Sequence, residues 1–201
     1  FTPGRDAARK EASKLNVPRI GVRFRLPASM NQVEYFGRGP AENYLDRNAG
    51  SMVGLYKSTA EELYFPYVRP QENGHHTDTR WVSLSTGKKG LLIQADNTIG
   101  FNALRNSIED FDDEEATGLP RQWSNFTPEQ VANHDEAAAK NVLRRQHHIN
   151  NITPRDFVEV CVDLKQQGVA GYDSWGSRPE PAYTLPANRE YNWGFTLIPL
   201  K

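Results

Sequence analysis

The stretch from Phe157 to Leu164 reads FVEVCVDL, with Val158, Val160, Val162 and Leu164 alternating with Glu159, Cys161 and Asp163. A period of two puts the two sets on opposite faces of an extended chain; a helix cannot separate them in that way. The segment is therefore a strand, and its apolar set needs a sheet around it and a core beneath it. Ile20, Val22, Phe24 and Leu26 alternate with Gly21, Arg23 and Arg25 in the same way, as do Tyr191, Trp193, Phe195 and Leu197 near the end.

Shorter strands are expected at Val33 to Phe36, Ser51 to Lys57, Glu62 to Arg69, Thr79 to Leu84, Lys88 to Asp96 and Ile99 to Leu104. Turn residues separate them, including Gly37-Arg38-Gly39-Pro40 and the Asn-Gly pair in Glu72 to Gly74. One helix is expected in a long connection. Thr127, Pro128 and Gln130 form an N-cap, a first-turn proline and a capping-box glutamine, and the alanine-rich run continues to about Lys140. The acidic run from Glu109 to Gly118 before it reads as a solvated loop, because like charges repel. Many short strands and one helix give an all-β fold class, an antiparallel sandwich or barrel. Residues 1–17, polar and basic, read as a connecting segment, and 18–201 as the domain.

The 201 residues carry a formal net charge of −1, which gives no reason to expect nucleic acid as a partner. No apolar run reaches the 18 residues of a membrane-spanning helix. Cys161 is the single cysteine, so an internal disulfide is excluded. It reads as a packed structural thiol and fits a reducing compartment. The start at Phe1, with neither an initiator methionine nor a signal peptide, reads as a piece of something longer.

The sequence offers several groups for chemistry. His75-His76 and His147-His148, with His134 between the pairs, lack HExxH or HxH spacing, and strand neighbours face opposite ways. Surface and loop positions are the expectation, with no metal site in this chain. No nucleophile elbow and no phosphate-binding glycine loop are present. Glu34, Glu42, Glu72 and Glu159 lie on strands or at their ends without a pattern that pairs two of them, and read as solvated or structural carboxylates. Trp81, Trp123 and Trp193 are assigned to the core.

The loop GYDSWGSRP, Gly171 to Pro179, places a tryptophan among turn formers. Trp175 with Asp173, Ser174 and Arg178 combines a ring face for the C–H face of a sugar with polar partners for its hydroxyls. The competing role is an indole folded back over the sandwich edge with its N–H bonded to backbone. Composition alone favours the second.

Long segments in order settle more. YFGRGPAENYLDR (Tyr35 to Arg47), LYFPYVRPQENGHHTDTRW (Leu63 to Trp81) and GYDSWGSRPEPAYTLPANREYNWGFTLIP (Gly171 to Pro199) resemble the C-terminal, small-chain domain of the large bacterial β-galactosidases of glycoside hydrolase family 2. PRIGVRFRLP (Pro18 to Pro27) and FNALRNS (Phe101 to Ser107) fit as well.

The resemblance implies a β-supersandwich of the galactose mutarotase-like type. It also implies a catalytic barrel upstream in the same chain, carrying the catalytic glutamates and the Mg²⁺ and Na⁺ sites. No catalytic residue is then expected in this chain, and it should be inactive alone. The implied activity of the whole is retaining hydrolysis of lactose-like β-galactosides by a homo-oligomer, with neither nucleic acid nor membrane as partner. Trp175, flanked by Asp173 and Ser174, matches the family's substrate-stacking position. Two other readings stand beside this one. The chain could be a stand-alone carbohydrate-binding module, or a mutarotase-like aldose epimerase using His75, His76, His147 or His148 with a glutamate.

Overall fold

A computed structural model describes residues 15–68, 72–111, 152–173 and 175–201. The expected helix from Thr127, the strand character of 144–149, Trp123, His134, His147, His148, Ser174 and most of the 1–17 segment lie outside the described residues.

The described chain is all-β. Seven strands run as β1 (Arg19–Pro27), β2 (Gln32–Gly39), β3 (Met52–Thr59), β4 (His76–Ser85), β5 (Gly90–Leu104), β6 (Phe157–Gln166) and β7 (Phe195–Leu200). They form one antiparallel sheet ordered β1-β6-β5-β4-β2-β3, with β7 paired to β5 off this path, which fits the β-sandwich class. β5 is unusually long because it serves two neighbours on one side. Gly90 to Ala95 pairs with β7, and Gly100 to Leu104 pairs with β6.

The alternation that marks β6 has the predicted result on one face and an unexpected one on the other. Val158, Val160 and Val162 are fully buried with Val33, Tyr35, Val82, Leu84, Ile93 and Phe101. Glu159, Cys161 and Asp163 point the other way and are also buried. Arg23, Arg25 and Arg19 of the neighbouring β1 cover them: Arg25 Nε lies 3.0 Å from Glu159, and Arg19 Nη2 lies 2.7 Å from Asp163. Central strands that alternate in sequence can thus be buried on both faces when an edge strand supplies guanidinium groups as a lid. Cys161 is packed as expected, and burial pushes its thiol up to about 12.

Three expectations are corrected. Glu62 to Val68 is a turn followed by irregular chain. Leu63 is buried and Tyr64 stacks on Phe111, while the Asn73 amide bonds both N–H and C=O of Phe65 at 2.8 and 2.6 Å. One side chain thus takes the place of a partner strand. The acidic run is not wholly solvated: Ile108–Asp110 is a single 3₁₀ turn in which Glu109 is exposed, but Asp110 is buried against Arg155 and Phe111 joins the core. Trp81 is half-buried on the face opposite the core, aligned with Phe36, whereas Trp193 packs on the core's margin.

Candidate functional site

β6 ends at Gln166, and the chain leaves it through Gly168 into the tryptophan loop. Trp175 is 93% exposed and so does not fold back over the sheet. The loop around it is nonetheless fixed. Asp173 Oδ1 accepts from the N–H groups of Trp175 (2.7 Å) and Ser177 (3.3 Å), an Asx turn, and Ser177 Oγ accepts from Tyr172 N–H. Gly171 and Gly176 take φ of 84° and 83°, where glycine alone is unstrained.

The base of the loop is tied to a distant segment. Asp46 accepts from the N–H groups of Val169 (3.1 Å) and Ala170 (2.8 Å) and from the Tyr172 hydroxyl (3.3 Å). Its carboxyl group occupies the space a Cβ at residue 168 would need, so that position requires glycine. Gly168 N–H also donates to Tyr183 C=O at 2.8 Å, joining the two ends of the loop.

Four residues before Asp46, Glu42 organises a second anchor. Its side chain is 5% exposed and accepts from Gly74 N–H (2.7 Å), Arg47 (2.8 Å), and the hydroxyls of Tyr44 (3.1 Å) and Tyr67. Arg47 in turn donates to Tyr67 at 2.8 Å and lies over the Tyr44 ring, 5.0 Å from its centroid. Between these anchors opens a cavity of about 440 Å³, lined by Tyr44, Arg47, Tyr67, Glu72 and the stretch from Gln166 to Gly171. Glu72 also lines a smaller cavity of about 190 Å³, beside Arg19, Asn102, Asn106, Glu159 and Cys161.

The first histidine pair is not at the surface, which corrects the expectation from sequence. His75 and His76 are both buried, facing opposite ways as strand neighbours do. His76 packs between Tyr35 and Phe101 with its ring nitrogens near the carbonyls of Gly74 and Pro40. His75 stacks on Tyr44, and its Nδ1–H donates to Asn102 Oδ1 at 2.8 Å. That oxygen can only accept, which fixes the tautomer. Burial, with Arg19 nearby, pushes the His75 ring down to about 3, whereas burial raises Asp163 to about 6 despite the Arg19 ion contact. A general acid or base works best with a pKa near the operating pH. Neutral, enclosed His75 is a structural group, which weighs against an epimerase built on this pair.

Of the carboxylates named from sequence, Glu42 and Glu159 are buried and bonded within the domain, and Glu34 pairs with Lys57 at 3.4 Å on the surface. Among the described residues, no three His, Cys, Asp or Glu side chains converge as metal ligands. Asp46, Arg47, Tyr67 and Gln166 were not singled out by sequence reasoning. Asp46 and Arg47 do lie in the YLDR end of a segment that carried the resemblance.

Comparison with known proteins follows the same segments. The family model described as beta galactosidase small chain matches residues 5–197. A beta-galactosidase of Priestia megaterium is 35% identical over 92% of this chain and 15% of its own length. That of Arthrobacter sp. is 40% identical over 52% of this chain and 11% of its own, and that of Vibrio cholerae 29% identical over 90% and 14%. The chain thus spans only about a seventh of the length of such relatives.

Proposed function

Because the chain belongs to the β-galactosidase small-chain family, we propose that it is the C-terminal domain of a longer β-galactosidase and forms part of that enzyme's active-site rim. In this reading the longer enzyme hydrolyses β-galactosides with retention, through a covalent galactosyl intermediate formed on a carboxylate outside this chain. The Mg²⁺ and Na⁺ sites implied by the resemblance lie outside it as well.

The observation that carries the proposal is Trp175. A free indole in water forgoes the burial that makes tryptophan worth placing, roughly 25 cal/mol per Å² of apolar surface. Yet the loop spends an Asx turn, two glycines at positive φ and the Asp46 carboxylate on presenting it. Such an arrangement serves a surface that arrives from outside the domain. A galactoside ring meets the need, with its C–H face on the indole. Asp173 already accepts from two backbone N–H groups, so it positions the ring.

A stacking platform of this kind contributes about 1–2 kcal/mol, roughly five- to thirty-fold in binding. The test is kcat/KM for an aryl β-galactoside in the full-length enzyme and its Trp175→Ala variant. A loss of fivefold or more at unchanged Tm supports the platform. Equal rates return Trp175 to a purely structural or interdomain role.

A further inference from the structure

The two anchors beneath the tryptophan loop act in series. We infer that Glu42, which makes no hydrogen bond to that loop among the described residues, is a positioning residue for Trp175: it fixes the turn that carries Asp46, and Asp46 fixes the loop. The inference rests on the galactosidase reading only for the reaction in which one of its effects is measured.

Asp46 sits at the tip of a four-residue turn. Tyr44 and Arg47 close that turn, their backbone N–H groups donating to each other's carbonyls at 3.3 and 2.8 Å. Those two bonds shape the turn but leave its tilt against the sheet unset. Asn43 holds the entry: its N–H donates to His75 C=O at 2.7 Å, and its side-chain oxygen accepts from Thr77 N–H at 2.9 Å. Glu42 holds the far end. Its buried carboxylate takes the Arg47 guanidinium at 2.8 Å and the Tyr44 hydroxyl at 3.1 Å, and ties both to Gly74 N–H at 2.7 Å, just before β4. The Tyr67 hydroxyl completes the set.

The tip of the turn then meets the loop. Asp46 Oδ1 accepts from Val169 N–H and Oδ2 from Ala170 N–H, and the missing side chain of Gly168 leaves the space that admits the carboxylate. One oxygen on each N–H tolerates little sideways movement, because hydrogen bonds weaken steeply away from their best distance and angle. Ala170, at φ 55°, relaxes if the carboxylate slips from it. Trp175 follows in the same Asx-turned loop, so its ring moves with that base.

The size of the effect is bounded. A residue that acts through Trp175 costs no more than loss of the ring, about five- to thirty-fold in binding.

The test compares the full-length enzyme with Glu42→Gln, Trp175→Ala and the double variant. In Glu42→Gln, hydrogen exchange at the Val169 and Ala170 amides should rise by at least about tenfold, with Val160 and Val162 in β6 unchanged. Its kcat/KM for the aryl β-galactoside should fall by at least about threefold, and the double variant should match Trp175→Ala, because a ring already removed cannot be misplaced. Tyr67→Phe removes one donor to Glu42 and keeps the carboxylate. It should raise exchange at the same two amides by at least about threefold, and it decides the matter if Glu42→Gln does not fold. Unchanged exchange at 169 and 170, or protection lost equally throughout β6, overturns the inference. So does a double variant in which the two losses multiply, or a rate that Trp175→Ala lowers and Glu42→Gln leaves unaltered. If Trp175→Ala itself leaves the rate unaltered, the platform reading fails, and exchange at 169 and 170 alone decides whether Glu42 sets the loop.

Discussion

Replacing Asp46 by alanine should free the tryptophan loop while leaving the sheet intact. The carboxylate accepts three hydrogen bonds, from Val169 N–H, Ala170 N–H and the Tyr172 hydroxyl. Bonds to a charged acceptor contribute about 1.5–3 kcal/mol each when well aligned. The Tyr172 contact, at 3.3 Å on an exposed ring, adds little, and the two backbone bonds are only partly shielded. About 2–3 kcal/mol in total is a discounted figure. The variant also loses what holds Ala170 at φ 55°, a left-handed conformation that costs a non-glycine residue about 1–2 kcal/mol. The free energy of opening the loop should therefore fall by at least about 2 kcal/mol, roughly a thirtyfold rise in its open population. Native-state hydrogen exchange at the Val169 and Ala170 amides reads this directly. Protection there should drop about thirtyfold or more, while the amides of Val160 and Val162 in β6 keep theirs. Unchanged protection at 169 and 170 would refute the claim that Asp46 anchors the loop. An equal loss throughout β6 would show that it supports the whole sheet instead.

Glu159→Ala should destabilise the domain by about 2–3 kcal/mol in chemical unfolding. It removes the acceptor for Arg25 and for Ile108 N–H, though both β1 arginines can rehydrate; a change under 0.5 kcal/mol would contradict the lid described for β1. His75→Gln should change the pH dependence of stability. The folded ring titrates at about 3 against 6.5 unfolded, so its contribution is complete above pH 6.5 and is lost as the pH falls towards 3. The stability difference between the unaltered protein and the variant should shrink by about 1.4 kcal/mol per pH unit in that window. Asp163, raised to about 6, acts with the opposite sign between pH 6 and 3.8, but it is present in both proteins and cancels. Parallel stability curves from pH 7 to 4 would show that His75 is not held neutral.

Most strands could be read from the chain, because a half-buried strand writes its own period of two. β1, β2 and β6 did so. The reading failed where a single side chain replaced a strand: the Asn73 amide pairs with Phe65, and nothing in the residues around Phe65 announces it. It failed again at the histidine pair, since burial there is set by Asn102 and Phe101 on β5. Trp175 was visible as an aromatic among turn formers. Its supports were not, because Asp46 meets Val169 and Ala170 from more than a hundred residues away. The cavity combines Arg47, Tyr67 and Gln166 from three separate stretches, and no local spacing encodes their meeting.

The closure between Gly168 and Tyr183 bears on how the tryptophan loop can diversify. With the ends of the loop bonded to each other and its base held by Asp46, Val169 to Ala182 form an excursion that starts and finishes at one place on the scaffold. Doubling the length of a flexible connection between fixed ends costs only about 0.6 kcal/mol in closure entropy. Insertions and deletions beyond the anchor can therefore accumulate without disturbing strand register, so descendants of one ancestral domain can change what the loop presents while inheriting the same sheet.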